Sequence, residues 1–206
     1  VPMVRDTLHD RRPSRDDAFE ARISALVQPV SMRSTHYVYG VDPIDGNDGW
    51  ALMRAAAAGD LEEVRRLVRK DRRLIHAERW YQTPLQFAVR EGQADVVRYL
   101  LEQGAEVEKS RGGLYSSRWA LEEARRRGYD DVREAWESAL TERYGYDPEF
   151  ADLGEAVRDG NLDEVGRVLS ERPELLRAAD VYGNTALHLA ASDGDVSLIS
   201  HLLDRG

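Results

Sequence analysis

The stretch Tyr81–Val107, YQTPLQFAVREGQADVVRYLLEQGAEV, sets out a plan that returns along most of the chain. Thr83 and Pro84 open it, and Leu85 and Ala88 stand about one helical turn apart. Gly92 then breaks the helix, and Val96, Val97, Leu100 and Leu101 form a second apolar stripe. Apolar residues three and four apart on both sides of a glycine predict two short amphipathic helices joined by a tight turn. Aligned on the breaking glycine, the copies fall at Gly59, Gly92, Gly128, Gly160 and Gly194, spaced by 33, 36, 32 and 34 residues. Seven residues before each glycine stands a leucine (Leu52, Leu85, Leu121, Leu153, Leu187). Four before it stands an alanine (Ala55, Ala88, Ala124, Ala156, Ala190). The leucine supplies buried bulk, and the alanine lets one helix lie close against its neighbour. A helix pair that recurs at this period cannot bury its apolar face alone. The chain is therefore expected to stack its repeats into a solenoid with one continuous strip of core.

The hexad Thr83-Pro84-Leu85-Gln86-Phe87-Ala88 resembles the T-P-L-H-x-A signature of ankyrin repeats, and Thr185-Ala186-Leu187-His188-Leu189-Ala190 keeps the histidine and loses the proline. The resemblance covers residues 46–206. With it, the expected fold is an all-α ankyrin-repeat solenoid of five helix pairs with hairpin loops, at about 46–78, 79–113, 114–146, 147–179 and 180–206. An N-terminal extension, residues 1–45, precedes it. His188 falls at the family's structural histidine, which implies hydrogen bonds to loop backbone and threonine.

Residues 1–15 are polar and arginine-rich and predict a draped tail. Phe19, Ile23, Leu26 and Val27 predict a short amphipathic helix over 16–28, expected to cap the first repeat, with partner docking as the other reading. Residues 31–49 carry the β-formers Tyr37, Val38 and Tyr39, followed by DPIDGNDG. A calcium loop would need glutamate at its twelfth position, but that place falls on Met53 or Ala56, so this run reads as a turn into repeat 1. The exits of repeats 1 and 4 match, Leu74-Ile75-x-Ala77 against Leu175-Leu176-x-Ala178. Repeat 3 departs most, with the longer loop EKSRGGLYSS and Trp119-Ala120 in place of Thr-Pro. Leu198, Ile199, Leu202 and Leu203 of repeat 5 have no following repeat in this sequence to cover them. The first residue is valine, and both features suggest a longer native protein.

The bulk numbers exclude more than they assign. A net charge of −9 disfavours nucleic-acid or anionic-membrane binding. No cysteine means no disulfide, thiolate metal site or cysteine nucleophile. No apolar run reaches the roughly 18 residues of a membrane helix, and residues 1–31 lack a signal-peptide core. A cytoplasmic, monomeric protein without cofactor or metal is the expectation, with possible contact through the uncapped last repeat. The five histidines are scattered and none stands in an H-E-x-x-H spacing, and GGLYSS lacks the lysine and spacing of a P-loop. No catalytic constellation is visible.

The ankyrin resemblance instead implies a non-enzymatic protein-interaction module. It would bind through a concave face built from hairpin tips and first helices. Carried over by position, Arg90, Arg126 and Arg158 stand two before the breaking glycine in three neighbouring repeats, and Arg118 and Arg127 join them. The tips add Arg79, Trp80, Gln82, Tyr115, Tyr182 and Asn184, residue types enriched at interface hot spots where Trp, Tyr and Arg are concerned. This basic stripe in an acidic chain reads either as a groove for an acidic protein segment or as solvated arginines paired with nearby carboxylates. The alternative function is a regulatory or scaffold portion of a longer enzyme or effector.

Overall fold

The computed structural model describes residues 15–38, 41–79, 82–107 and 116–206. All of the predicted tail 1–15 but Arg15, which opens α1, and the tip residues Trp80 and Tyr115 lie outside them. Five helix pairs follow one another: α2 (Gly46–Ala58) with α3 (Leu61–Lys70), α4 (Pro84–Glu91) with α5 (Ala94–Glu102), α6 (Ser117–Arg127) with α7 (Asp130–Tyr144), α8 (Phe150–Arg158) with α9 (Leu162–Glu171), and α10 (Ala186–Asp193) with α11 (Val196–Leu203). Before them stand α1 (Arg15–Ser24) and a two-stranded antiparallel hairpin, β1 (Thr35–Val38) and β2 (Val41–Asp45), with His36 opposite Ile44.

The breaking glycine does the same work in every pair. Gly59, Gly92, Gly128, Gly160 and Gly194 have φ between 67° and 77°, the left-handed region that a residue with a Cβ resists. The amide that follows each one returns to the carbonyl of the repeat's alanine. Asp60 bonds to Ala55, Gln93 to Ala88, Tyr129 to Ala124, Asn161 to Ala156 and Asp195 to Ala190, all at 2.9–3.0 Å. That is the closure of a Schellman turn, and it satisfies a helix-end carbonyl that would otherwise be orphaned. All five alanines are buried. The leucine rule is looser. Leu52, Leu85 and Leu153 are fully buried and Leu121 only partly, while Leu187 is 37% exposed on the last repeat, where no further helix pair packs.

The first helices of repeats 2, 5 and 3 start in two ways. In α4, Gln86 accepts the Thr83 amide, and in α10, His188 Nδ1 accepts the Thr185 amide at 3.2 Å while Thr185 Oγ1 caps the turn. These are capping boxes with Gln or His at the third position. In α6 the cap is Ser116, whose hydroxyl accepts from the Trp119 amide at 3.3 Å, so the helix begins upstream of the Trp119-Ala120 pair that replaces Thr-Pro. The matched exits of repeats 1 and 4 both form 3-10 turns, Arg72–His76 and Pro173–Leu176, each planting a buried leucine (Leu74, Leu175) in the core.

The N-terminal region differs from expectation. The helix ends at Ser24 rather than near 28, and the segment 31–45, expected as extended chain and turn, adds a β-hairpin to an otherwise helical fold. By packing, the hairpin belongs to repeat 1. Met32, Val38 and Ile44 are buried in its core, and the His36 ring lies 2.8 Å from the Glu78 carbonyl of the next connection. The DPIDGNDG run makes the hinge into α2. The Asp45 carboxylate accepts from the Asn47 and Asp48 amides, and a Cβ on Gly46 would stand 2.4 Å from the Ser34 carbonyl oxygen.

The core itself is divided. One buried cluster runs from Ile23 through Trp136 to Leu140, and a second runs from Phe150 to Leu202. The strip expected to be continuous is interrupted between α7 and α8. Backbone spans the gap: the Ala179 amide donates to the Gly145 carbonyl at 2.9 Å and the Asp147 amide to the Ala179 carbonyl at 3.2 Å.

Candidate functional site

The interruption splits the expected basic stripe between two grooves. The first lies among α1, α4 and α6, has a volume of about 650 Å³, and is lined by Phe19, Arg22, Glu91, Arg126, Arg127 and Tyr129 among others. Its centre is Glu91, in the last turn of α4, whose side chain is 2% exposed. A carboxylate so far from water is costly to bury unless it is paired and hydrogen-bonded. Arg22 supplies two donors to one of its oxygens, Nη2 at 2.7 Å and Nε at 3.1 Å, and Arg90 Nε reaches the other at 3.0 Å.

Arg90, expected to face a partner, is therefore engaged within the stack. Its guanidinium also lies 4.6 Å from the centre of the Phe87 ring. Phe87 meets Trp50 edge to face at 6.4 Å between ring centres, and Arg79 sits 5.3 Å from the Trp50 ring. The two arginines thus close the ends of an aromatic pair that joins α2 to α4, a contact whose cation–π attraction adds to the packing. Gln82 is paired through backbone with Arg79, amide to carbonyl in both directions at 2.9 Å, and shapes the tip of that connection.

On the far wall, Arg126 and Arg127 converge on Glu123 of their own helix, with Arg126 at 2.8 Å. Burial alone would push the Glu123 carboxyl up. The two guanidiniums outweigh it and hold the carboxyl below its usual range. Arg127 is held more strongly protonated than a free arginine: burial opposes this, but bonds to Tyr129 and Glu123 prevail.

The second groove opens where the two cores part. It has a volume of about 610 Å³ and brings together Arg118 of α6, Tyr146 and Phe150 at the junction, Arg158 of α8, and Asp180 and Tyr182 of the repeat 5 hairpin. Three expected partner-binding residues from three repeats thus share one cleft. Arg118 pairs with Glu122 at 3.1 Å, both highly exposed, and Arg158 stands 3.9 Å from Asp180, too far for a hydrogen bond. Tyr182 is 47% exposed. Asn184 is used internally: its amide nitrogen and side chain both donate to the Asp180 carboxylate, which organises the tip. Burial pushes the Tyr146 phenol above its usual range.

Sequence reasoning did not single out Arg22, Glu123 or Tyr146, whereas Glu91 stands beside the stripe at a position from which local pairing with it is expected. The pairing of Glu91 with Arg22 has no local signal. The Glu123 pair does, since Arg126 and Arg127 follow it by three and four residues on one helix. Among the described residues no three His, Asp or Glu side chains gather as metal ligands would, and no helix is long and apolar enough to cross a membrane.

A stack of helix pairs, each closed by a left-handed glycine, defines the class of helical repeat solenoids. Family models agree and say which one. Residues 30–111 match a family model described as ankyrin repeats (3 copies), and residues 182–206 match one described as ankyrin repeat. The chain belongs to the ankyrin-repeat family. It is also 27% identical over 157 residues to a protein of Danio rerio described as putative palmitoyltransferase ZDHHC13, an alignment covering 71% of this chain and 22% of that protein. The chain thus spans about a fifth of that relative's length.

Proposed function

We propose that the chain is a non-enzymatic protein-interaction module and that the cleft between α6, α8 and the repeat 5 hairpin is its main contact. The observation that carries this reading is the convergence of Arg118, Arg158 and Tyr182 on one open groove. Exposed Arg and Tyr beside the buried Phe150 supply anchors of the kind that dominate interfaces. Clefts at the boundary between packed units are also favoured binding places. Asp147, Glu155 and Asp180 line the same cleft, so a segment carrying both signs of charge fits it better than a uniformly acidic one.

The test is a partner-capture and affinity comparison between the native chain and an Arg118→Glu/Arg158→Glu/Tyr182→Ala variant, after circular dichroism shows both folded. A fall in affinity of tenfold or more supports the cleft. Unchanged affinity overturns it.

A second reading is favoured by the similarity to a fifth of a putative palmitoyltransferase and by the exposed Leu187, Val196 and Leu203 on the last repeat. In it, the stack regulates or positions a catalytic part carried elsewhere in a longer protein. Expression of the whole gene product with and without these repeats tests it: equal activity and equal substrate affinity in both forms would remove the reading.

A further inference from the structure

Repeats 3 and 4 carry the same pair of charges at the same place. Glu123 and Arg126 stand five and two residues before Gly128, and Glu155 and Arg158 stand five and two before Gly160. In α6 the two close an i, i+3 bridge at 2.8 Å. In α8 they stay apart. Among the described residues Glu155, which is exposed, makes no ion pair, and the carboxylate nearest to Arg158 is that of Asp180, at 3.9 Å. Two local differences account for this. The residue before the breaking glycine is Arg127 in repeat 3, a second cation on Glu123, but Asp159 in repeat 4. Gly154 also leaves the room in which the Arg158 guanidinium lies, since a Cβ there would stand 3.5 Å from its Nη1 and 3.2 Å from the Phe150 ring. Asp180 is engaged elsewhere: its Oδ1 accepts the Tyr182 and Asn184 amides, both at 2.9 Å, and its Oδ2 the Asn184 side chain at 3.2 Å. Arg90, Arg118, Arg126 and Arg127 each hold a carboxylate within 3.1 Å. Arg158 makes no hydrogen bond among the described residues, and 53% of its side chain is exposed.

We propose that the second groove holds both halves of this pair open for a partner, and that the segment it takes carries an acidic side chain for Arg158 and, close to it in sequence, a basic side chain for Glu155. The inference rests on the reading of this cleft as the main contact and names the chemistry that the cleft selects. A guanidinium whose fork is unoccupied is the group that takes a carboxylate through two parallel bonds. Glu155, Asp147 and Asp180 line the same cleft, and they repel a doubly charged phosphate or a run of acidic residues. The match is therefore one carboxylate with a cation beside it. A segment with the two signs exchanged meets a like charge at both places, so the pair acts chiefly as a selector among partners.

The experiment selects peptides from a phage-displayed random dodecapeptide library on the full 206-residue chain. The most enriched sequence is then made as a fluorescein-labelled C-terminal amide and its binding measured by fluorescence anisotropy. Enriched sequences should hold an acidic and a basic residue close together. Replacing the acidic residue of the peptide by its amide should weaken binding about tenfold. The Glu155→Arg/Arg158→Glu chain keeps the net charge, and neither native side chain has an internal bond to lose, so circular dichroism should show it folded. It should bind the original peptide about tenfold more weakly and prefer the peptide in which the acidic and basic residues are exchanged.

A library that yields no enriched peptide overturns the proposal, and so does an enriched peptide that keeps its affinity as the amide. An exchanged chain that still prefers the original peptide overturns it as well. If a peptide that tolerates the amide loses affinity for the Arg118→Glu/Arg158→Glu/Tyr182→Ala chain, the charge pair falls and the cleft stands as the contact. If that peptide binds the triple variant as well as the native chain, both fall.

Discussion

The side chain of Tyr144, in the last turn of α7, packs on Gly183 at the tip of the repeat 5 hairpin. A Cβ on Gly183 would stand 3.5 Å from the Cβ, Cγ and Cδ1 atoms of the tyrosine. Tyr144 belongs to the helix that ends the first core and Gly183 to the loop that serves the second, so the contact helps join the two halves. Gly183 has φ 81°, and the added atom meets only ordinary contact distances. The backbone is what resists substitution. Gly183→Ala should cost about 1–2 kcal/mol, and Gly183→Asn less, because asparagine tolerates the left-handed region. Urea titration followed by circular dichroism checks the order, and equal losses would show that side-chain crowding decides instead.

The divided core predicts unfolding in two parts. All four tryptophans (Trp50, Trp80, Trp119, Trp136) lie before residue 140, so their fluorescence reports the first block alone, whereas circular dichroism reports both. Leu153→Ala empties space in the second cluster and should remove about 2–5 kcal/mol from that block. The helical signal should then begin to fall at lower urea than the fluorescence does. Coincident curves in this variant would mean that the junction couples the halves into one cooperative unit.

Arginines expected to face a partner should separate into structural and surface groups. Arg90→Glu sets a second carboxylate beside Glu91, which has 2% of its side chain exposed, and should cost roughly 3 kcal/mol or more. Arg118→Glu alters a pair that is about two-thirds exposed at both ends and should change stability by no more than about 0.5 kcal/mol. Thermal melts of the two variants decide this. Charge reversal at Arg90 therefore cannot be read as a test of binding unless the fold is checked first.

Acid should act through Glu123. Its carboxyl is held below the unfolded value, so it contributes stability that is fully present above pH ~4.5 and is lost as pH falls through the folded value. Glu63, Asp71 and Glu164 are shifted in the same direction by Arg66, Arg73 and Arg167, but their side chains are more open to solvent than that of Glu123, which weakens the effect. Glu123→Gln should be less stable than the native chain at pH 7, by an amount that shrinks between pH 5 and 3. A stability difference independent of pH would remove Glu123 as the titrating group.

The repeat was legible because its signals are local. A glycine that must adopt positive φ, an alanine four residues earlier and the caps at Thr83 and Thr185 all act within a turn or two, so each copy announces itself. Leu187 shows where this reasoning stops. It obeys the pattern, yet its burial depends on what packs beside it, and it is 37% exposed. Ser116 caps α6 three residues ahead of the Trp119 that stands in the place of threonine, a shift the motif frame hides. The grooves were legible only in part. The types and repeat positions of Arg118, Arg158 and Tyr182 marked them as surface residues, but that they meet depends on how α7 hands over to α8. That Arg90 turns inward depends on Glu91 being buried and on a helix far upstream.

A solenoid assembles from contacts between neighbours, and the bond from Arg22 to Glu91 breaks that habit, with 69 residues between its ends. At a synthesis rate of about 5–20 residues per second, α1 leaves the ribosome roughly 3 to 14 s before its acceptor exists. This helix thus waits for the second repeat to find its place. During that interval its Phe19, Ile23 and Leu26 stripe is open to any other surface that can receive it.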